Sequence, residues 1–169
     1  MRDISEIKPF EDEFELFRLP AVRIIGKEAR CGGALGNTAP ALAEETLKPD
    51  TWNILLQLPL VLKDGLGWTC DYDKATDTFS YIVCVMTPAG TPVPDGFTYR
   101  DIPETICTKG LFGEDTSKTI ERAKELGYVT NWKPYGWNAE LYIKEEEENP
   151  PRTGCNTCHW LVPVKKSGT

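Results

Sequence analysis

The sequence predicts a mixed α+β fold, because strand, helix and hairpin segments follow one another and then recur in the same order. The first series starts at the β-branched segment 19–31, and the second starts at segment 97–112. A similar pattern opens both hairpins, at Gly67-Trp68 and at Gly136-Trp137. We therefore predict duplicated strand–helix–strand–strand units that form one curved antiparallel sheet assembly, with a ligand groove between the halves.

The length and composition are those of one globular domain. The chain has 169 residues, of which 40% are hydrophobic and 27% are charged. We expect residues 1–169 to form a single domain, with pseudo-repeats at about 19–90 and 97–166 and an N-terminal extension at 1–18. No window approaches the roughly 18 consecutive apolar residues of a transmembrane helix. The first residues also lack the apolar segment of a signal peptide, so we expect a cytoplasmic protein with no membrane contact and mostly reduced cysteines.

The charge balance restricts the class of partner. The net charge is −7, whereas proteins that neutralise nucleic-acid phosphates are usually basic. We therefore expect no direct nucleic-acid binding. An acidic protein attracts cationic ligands over long range instead.

The first half is predicted to contain a helical region and a central hairpin. The helical region spans 41–58, breaks at Pro49 and carries an apolar stripe at Trp52, Leu55 and Leu56. The hairpin joins the strand-like runs LGWTCDY and TFSYIVCVM. The second run is apolar on both faces, which is typical of a strand in the middle of a sheet.

The second half repeats this plan. Segment 97–112 is strand-like, with an interruption near Pro103, and the following segment 114–127 is helical. We expect Asp115 or Thr116 to cap this helix and Gly127 to end it. Its predicted buried stripe consists of Ile120, Ala123 and Leu126. A second hairpin is predicted from strands at 136–143 and 157–166.

The C-terminal motif Cys155-Asn156-Thr157-Cys158-His159 matches the C-x-x-C-H pattern of covalent haem attachment and could also begin a zinc site. A haem protein of this type needs export, and a structural zinc site needs four ligands. Nothing directs export, and the other four cysteines are isolated in the sequence. We therefore predict no cofactor and no metal, and we interpret the motif as the start of a return strand. A disulfide between Cys155 and Cys158 stays an alternative.

The segment WNAELYI carries the candidate site. Strand alternation places Trp137, Ala139, Leu141 and Ile143 on one face, towards the core, and Asn138, Glu140 and Tyr142 on the other. If both faces are covered, Glu140 is a carboxylate in an apolar setting, which suits a counter-ion for a cation or an acid/base group. If the second face is open, Glu140 is an ordinary solvated glutamate.

Several motifs in order resemble a known family. They are LPAVRIIGKE, LGWTCDYD followed by TFSYIVCV, GFTYRDIPETICTKGLFG, WNAELYI and HWLVPVKK. From about Leu19 to Lys166 the chain resembles the GyrI-like, or AraC-type, effector-binding domains of bacteria. This resemblance implies a duplicated fold with a central aromatic pocket for small organic molecules, often cationic or amphipathic. It also implies that Glu140 is the glutamate that meets the cation in multidrug-sensing relatives. The remaining implied ligand-binding residues are Tyr142, Trp137, Asn138, Tyr81 and Trp52.

The resemblance leaves three functions open. The first is a stand-alone binding protein for a cationic or amphipathic molecule, without turnover. The second is a hydrolase of strained or electrophilic compounds, in which Glu140 and Tyr142 are catalytic. The third is a gyrase-inhibitor-type interaction module, and a homodimer or another protein partner is left open. About 18 residues precede the first strand, too few for the helix–turn–helix of the family's transcription regulators, so we expect no DNA-binding segment. The C-x-x-C-H motif is not part of the family pattern.

Overall fold

The structure is a computed structural model, and it describes residues 1–7, 14–111, 116–130, 136–142 and 159–168. The α-helices in these ranges are α1 (Ala39–Thr46), α2 (Pro49–Leu56) and α3 (Thr116–Glu125). Short 3-10 turns span Ile4–Glu6 and Gly33–Leu35. None of the helices described here has the length and apolar character needed to cross a membrane.

Ten strands accompany these helices in the described ranges. They are β1 (Arg2–Asp3), β2 (Glu15–Leu19), β3 (Val22–Gly32), β4 (Leu66–Asp73), β5 (Thr78–Pro88), β6 (Thr98–Ile102), β7 (Thr105–Leu111), β8 (Tyr128–Thr130), β9 (Asn138–Leu141) and β10 (His159–Lys166). All belong to one sheet with the order β1-β2-β7-β10-β9-β4-β5-β3-β6, and β8 pairs with β10. The pairings are antiparallel except that of β1 with β2. The chain is therefore a mixed α+β protein with a sheet dominated by antiparallel pairs, as predicted.

The strand boundaries confirm one prediction and add two elements. The interruption near Pro103 is confirmed, because β6 ends at Ile102 and β7 begins at Thr105. The two strands pair with different neighbours in the sheet. Strand β6 pairs with β3, whereas β7 pairs with β2 and β10. Part of the N-terminal extension joins the sheet through β1 and β2, and β8 follows α3. The sequence patterns predicted neither of these additions.

The helices confirm the predicted break and correct one buried stripe. Helix α1 ends at Thr46 and α2 begins at Pro49, as the proline predicts. In α3, however, the predicted stripe is wrong at Leu126, which is 45% exposed, and the buried residues are Thr119 and Ala123. The cause is close packing, since a Cβ at Gly110 of β7 would overlap the side chain of Thr119. The helix therefore docks through small residues. The predicted cap Asp115 lies outside the described residues.

Apolar clusters cover the sheet on both sides. We call the side against which α1 and α2 pack the helix face, and it carries Tyr81, Val83 and Val85 of β5. The other side, here the opposite face, carries Ile82, Cys84 and Met86 of the same strand. Strand β5 lies between β4 and β3. The prediction of a central strand with two buried faces is thus confirmed.

The cysteines in the described ranges are buried free thiols. They are Cys31, Cys70, Cys84 and Cys107. Burial raises the pKa of Cys70 and of Cys107 to about 12, so these thiols are poor nucleophiles at neutral pH. No group of three or more histidine, cysteine, aspartate or glutamate side chains suited to a metal ion occurs in the described ranges. Cys155 and Cys158 lie outside those ranges.

Candidate functional site

Strand β9 places Glu140 at the middle of the sheet. In register, Glu140 lies opposite Gly67 of β4 on one side and opposite Trp160 of β10 on the other. The alternate residues Ala139 and Leu141 are buried in the cluster of the opposite face. Glu140 itself is half-buried, because its side chain points to the helix face and into a groove.

The groove has a volume of about 540 Å³. It is lined by strand residues, by α3 and by the turn at the start of the second 3-10 segment. The described lining residues are Gly32, Gly33, Thr69, Cys70, Tyr72, Asp77, Phe79, Thr116, Ile120, Gly136, Asn138, Glu140 and Trp160. This set contains two carboxylates, at Glu140 and Asp77, and neither lysine nor arginine. The described wall is therefore acidic and aromatic.

Two tyrosines form a hydrogen-bonded chain behind Glu140. The Tyr81 hydroxyl donates to Glu140 Oε2 at 3.4 Å, and the hydroxyl oxygens of Tyr81 and Tyr142 are 2.8 Å apart. Because a phenol has one proton, Tyr81 accepts from Tyr142 when it donates to Glu140. Tyr142 is fully buried, whereas Tyr81 is 7% exposed. The chain thus runs from the interior of the protein to the wall of the groove.

Gly67 makes room for this chain. A Cβ at position 67 would overlap the hydroxyl oxygens of both Tyr81 and Tyr142. Gly67 pairs with Glu140 across the β4–β9 ladder, so the glycine and the carboxylate occupy neighbouring places on the helix face. The glycine is therefore part of the site. A glycine inside a strand pattern often marks such a close approach, and that signal was present in the sequence.

The electrostatics of Glu140 follow from burial without a basic partner. Burial raises the pKa of the Glu140 carboxyl, and the hydrogen bond from Tyr81 opposes this rise by stabilising the carboxylate. The ion pairs between described residues do not include Glu140. Burial also raises the pKa of Tyr142 and of Tyr81, so both phenols are neutral hydrogen-bond donors at physiological pH.

The six residues proposed from the sequence have different positions. Asn138 and Glu140 line the groove, and Tyr81 and Tyr142 lie behind Glu140. Trp52 belongs to α2, is 1% exposed and packs in the core against Gly65.

The tryptophans at the sheet divide between its two faces. Trp137 stacks on Trp68 of the opposite face, with ring centroids 4.2 Å apart. Trp160 lies at the groove instead, and its Nε1 donates to Asn138 Oδ1 at 3.3 Å. No sequence pattern distinguished Trp160 from the other tryptophans, because its place depends on the pairing of β10 with β9.

The raised pKa of Glu140 predicts a pH-dependent stability. As pH rises, the unfolded chain loses this proton at the ordinary glutamate pKa, while the folded protein keeps it until the raised pKa. Between these two values the folded state binds more protons, so this carboxyl makes the free energy of unfolding fall as pH rises. We expect this pH-dependent contribution to the free energy of unfolding to be absent in Glu140→Gln. Urea unfolding of both proteins across this pH window measures the difference.

A matched control for this experiment is Glu44→Gln, which removes the same charge from an exposed position of α1. The control should keep the pH profile of the parent protein. A parent and a Glu140→Gln variant with parallel profiles would contradict the predicted titration.

Comparisons with known proteins give the fold. No family model matches the sequence, and no curated protein matches it. Solved structures do match. SAV2435 bound to tetraphenylphosphonium is 12% identical, with 90% of this chain and 94% of that chain covered and a TM-score of 0.59. The EcmrR C-terminal domain is 12% identical, with coverages of 93% and 99% and a TM-score of 0.50. A hydrolase from Listeria innocua is 11% identical, with coverages of 90% and 92% and a TM-score of 0.50.

The chain has the fold of these proteins. The likeness extends over nine-tenths of the chain and is consistent with the GyrI-like effector-binding fold that the sequence motifs predict. At this level of identity the comparison concerns the fold alone, since one fold hosts many functions. The function has to be argued from the groove and its residues.

Proposed function

We propose that this protein binds small organic cations or amphipathic aromatic molecules in the groove, with Glu140 as the counter-ion. The observation that carries the proposal is the half-buried Glu140 carboxylate, which faces the groove and has no basic partner among the described residues. An ionised carboxylate in such a setting is unfavourable until a positive charge compensates it. A cationic ligand supplies this charge and takes up the place of the missing ion-pair partner.

The size and lining of the groove agree with such a ligand. A volume of about 540 Å³ lies within the usual range of small-molecule sites. Trp160 and Phe79 contribute aromatic surface to the wall. An aromatic ring that faces a cation adds roughly 0.5–2 kcal/mol per well-placed contact. Aromatic cations therefore gain from the rings as well as from the carboxylate.

The order of the elements supports the finer prediction of duplicated halves with the groove between them. One half consists of β3, α1 with α2, β4 and β5, and the other of β7, α3, β9 and β10. Strands β4 and β9 pair at the junction. The groove lies over this junction, since Thr69 of β4 and Glu140 of β9 both line it. Seams of this kind are common ligand sites.

The decisive experiment is a fluorescence titration with tetraphenylphosphonium, the cation bound to SAV2435. Trp160 lines the groove and reports occupancy. We expect saturable binding, and we expect Glu140→Gln to weaken it about 10- to 100-fold, because two opposite charges about 6 Å apart at an effective dielectric constant of about 20 attract by up to about 3 kcal/mol. Triphenylphosphine oxide, a neutral molecule of similar shape, serves as the matched ligand.

A control variant and the neutral ligand distinguish a specific effect of the Glu140 charge from a general loss of affinity. The Glu44→Gln variant should bind tetraphenylphosphonium as the parent does, because Glu44 is exposed on α1 and is not a lining residue. Equal affinities of the parent and Glu140→Gln would remove Glu140 as the counter-ion. Equal affinities for the cation and the neutral oxide would remove the charge preference altogether.

A hydrolase is the second candidate, favoured by the hydrogen bond between Tyr81 and Glu140 and by the shared fold of the Listeria innocua hydrolase. In this geometry the phenol next to the carboxylate is Tyr81, and Tyr142 reaches Glu140 only through it. Glu140 would then serve as general base and Tyr81 as the hydrogen-bond donor. Product formation from electrophilic esters or strained rings, lost in Glu140→Gln, would support hydrolysis over simple binding.

A further inference from the structure

The groove contains a second carboxylate that binding of a single cation does not explain. Asp77 lies in the turn between β4 and β5 and lines the groove at its exposed rim. Its Oδ1 accepts a hydrogen bond of 2.6 Å from the Tyr72 hydroxyl. No ion pair between described residues includes Asp77. Like Glu140, it is a groove carboxylate without a basic partner in the described part of the chain.

A bulge in β4 brings Tyr72 to this rim. The register of β4 against β5 shifts between Cys70 and Asp73, and Asp71 has a φ of 53°. Side chains alternate along a strand, so Asp71 would follow Thr69 on the helix face if the strand were regular. The extra residue reverses the alternation, and Tyr72 lines the groove in its place. The irregular strand thus supplies the ring of Tyr72 at one end of the groove, and the hydroxyl of this ring donates to the Asp77 carboxylate of the following turn.

The two carboxylates are well separated along the sheet. Glu140 lies opposite Gly67, and Asp73, six positions further along β4, lies opposite Thr78 next to Asp77. At about 3.3 Å per residue, with one residue taken up by the bulge, the backbone positions are about 15–20 Å apart. Phe79 and Tyr72 line the groove as well. The described lining is thus acidic at Glu140 and at Asp77 and includes two further aromatic rings.

We propose that the groove selects elongated ligands with a positive charge at each end. One charge meets Glu140 and the other meets Asp77 beside the ring of Tyr72. The inference rests on the proposed function, because it takes Glu140 as the inner counter-ion. Asp77 is then a specificity-determining residue that distinguishes bis-cations from single cations. Its exposure limits its contribution, so its effect should be smaller than that of Glu140.

The test compares two ligands with the same ten-carbon chain, decamethonium with two ammonium groups and decyltrimethylammonium with one. We expect Asp77→Asn to weaken decamethonium binding roughly two- to fivefold, from the loss of one exposed charge pair, while the Tyr72 ring keeps its place. The affinity for decyltrimethylammonium should change less than about twofold. Glu140→Gln should weaken both ligands, and hexamethonium should bind less tightly than decamethonium because it is too short to span the two sites.

Two controls test whether the Asp77→Asn variant folds normally and whether the effect depends on the position of the removed charge. Asparagine tolerates the φ of 53° at position 77 and still accepts from Tyr72, so Asp77→Asn should melt with the parent protein. Asp95→Asn removes the same charge from an exposed loop away from the groove and should change neither affinity. Equal losses for both ligands in Asp77→Asn, or no loss for decamethonium, would overturn the inference. Dependence of tetraphenylphosphonium binding on Glu140 would leave the proposed function standing in that case.

Discussion

Replacing Gly67 with alanine should destabilise the protein by about 1–3 kcal/mol and abolish tight binding of organic cations. The added methyl group would overlap the hydroxyls of Tyr81 and Tyr142, and both tyrosines are held in a packed interior. Neither ring can move without disturbing the core of the helix face. Because Tyr81 also donates to Glu140, a displaced ring removes the hydrogen bond that stabilises the carboxylate at the groove.

Urea unfolding and titration with tetraphenylphosphonium measure the two effects of this variant separately. The double variant Gly67→Ala with Tyr81→Phe should recover part of the lost stability, since it removes the nearest overlapping oxygen. Recovery should be incomplete, because the Tyr81 ring carbon Cζ and the Tyr142 hydroxyl still crowd the new methyl group. A Gly67→Ala protein with the stability and cation affinity of the parent would contradict the packing described for this site.

Replacing Trp52 with alanine should cost about 3–5 kcal/mol of stability, the usual range for a large buried aromatic side chain. Trp52 of α2 is 1% exposed and packs against Gly65 in the apolar cluster of the helix face. Its Nε1 has no hydrogen-bond partner among the described residues, so its contribution is one of packing. Urea unfolding should show the loss, and Trp52→Phe should show a smaller one.

Trp160→Ala is the matched comparison, because Trp160 lines the groove and Trp52 does not. We expect Trp160→Ala to weaken tetraphenylphosphonium binding roughly five- to thirtyfold through the loss of one aromatic wall. Isothermal titration calorimetry measures this affinity, because the variant lacks the tryptophan that reports occupancy. Trp52→Ala, measured where it is still folded, should keep most of the affinity. The reverse pattern would place the ligand next to α2 rather than at β9 and β10.

Features set by local backbone geometry could be predicted from the sequence. Alternation along WNAELYI predicted that the Glu140 side chain points to the face of the sheet opposite to that of Ala139 and Leu141. The structure places these side chains in that way. Pro49 and Pro103 marked the helix break and the strand interruption, because proline restricts the residue before it and lacks an N–H donor. The two apolar faces of β5 likewise predicted its central place.

Features that depend on which strands meet required the tertiary structure. The periodicity of α3 favoured Leu126 as a buried residue, but the close approach at Gly110 turned Thr119 and Ala123 inwards instead. The bulge in β4 moved Tyr72 to the groove, which regular alternation does not predict. The residues beside Glu140 were also not predictable, since they come from β4, β5 and β10.

The sequence by itself thus determined which residues share a face, and it singled out Glu140 as the candidate. The tertiary structure decided that Gly67 leaves space for two phenols behind that carboxylate and that Trp160, rather than Trp52 or Trp137, lines the groove. The physical reason is the range of the interactions. The direction of a side chain follows from the dihedral angles of its own strand, whereas its neighbours follow from pairings between residues such as Glu140 and Gly67, 73 positions apart in the chain.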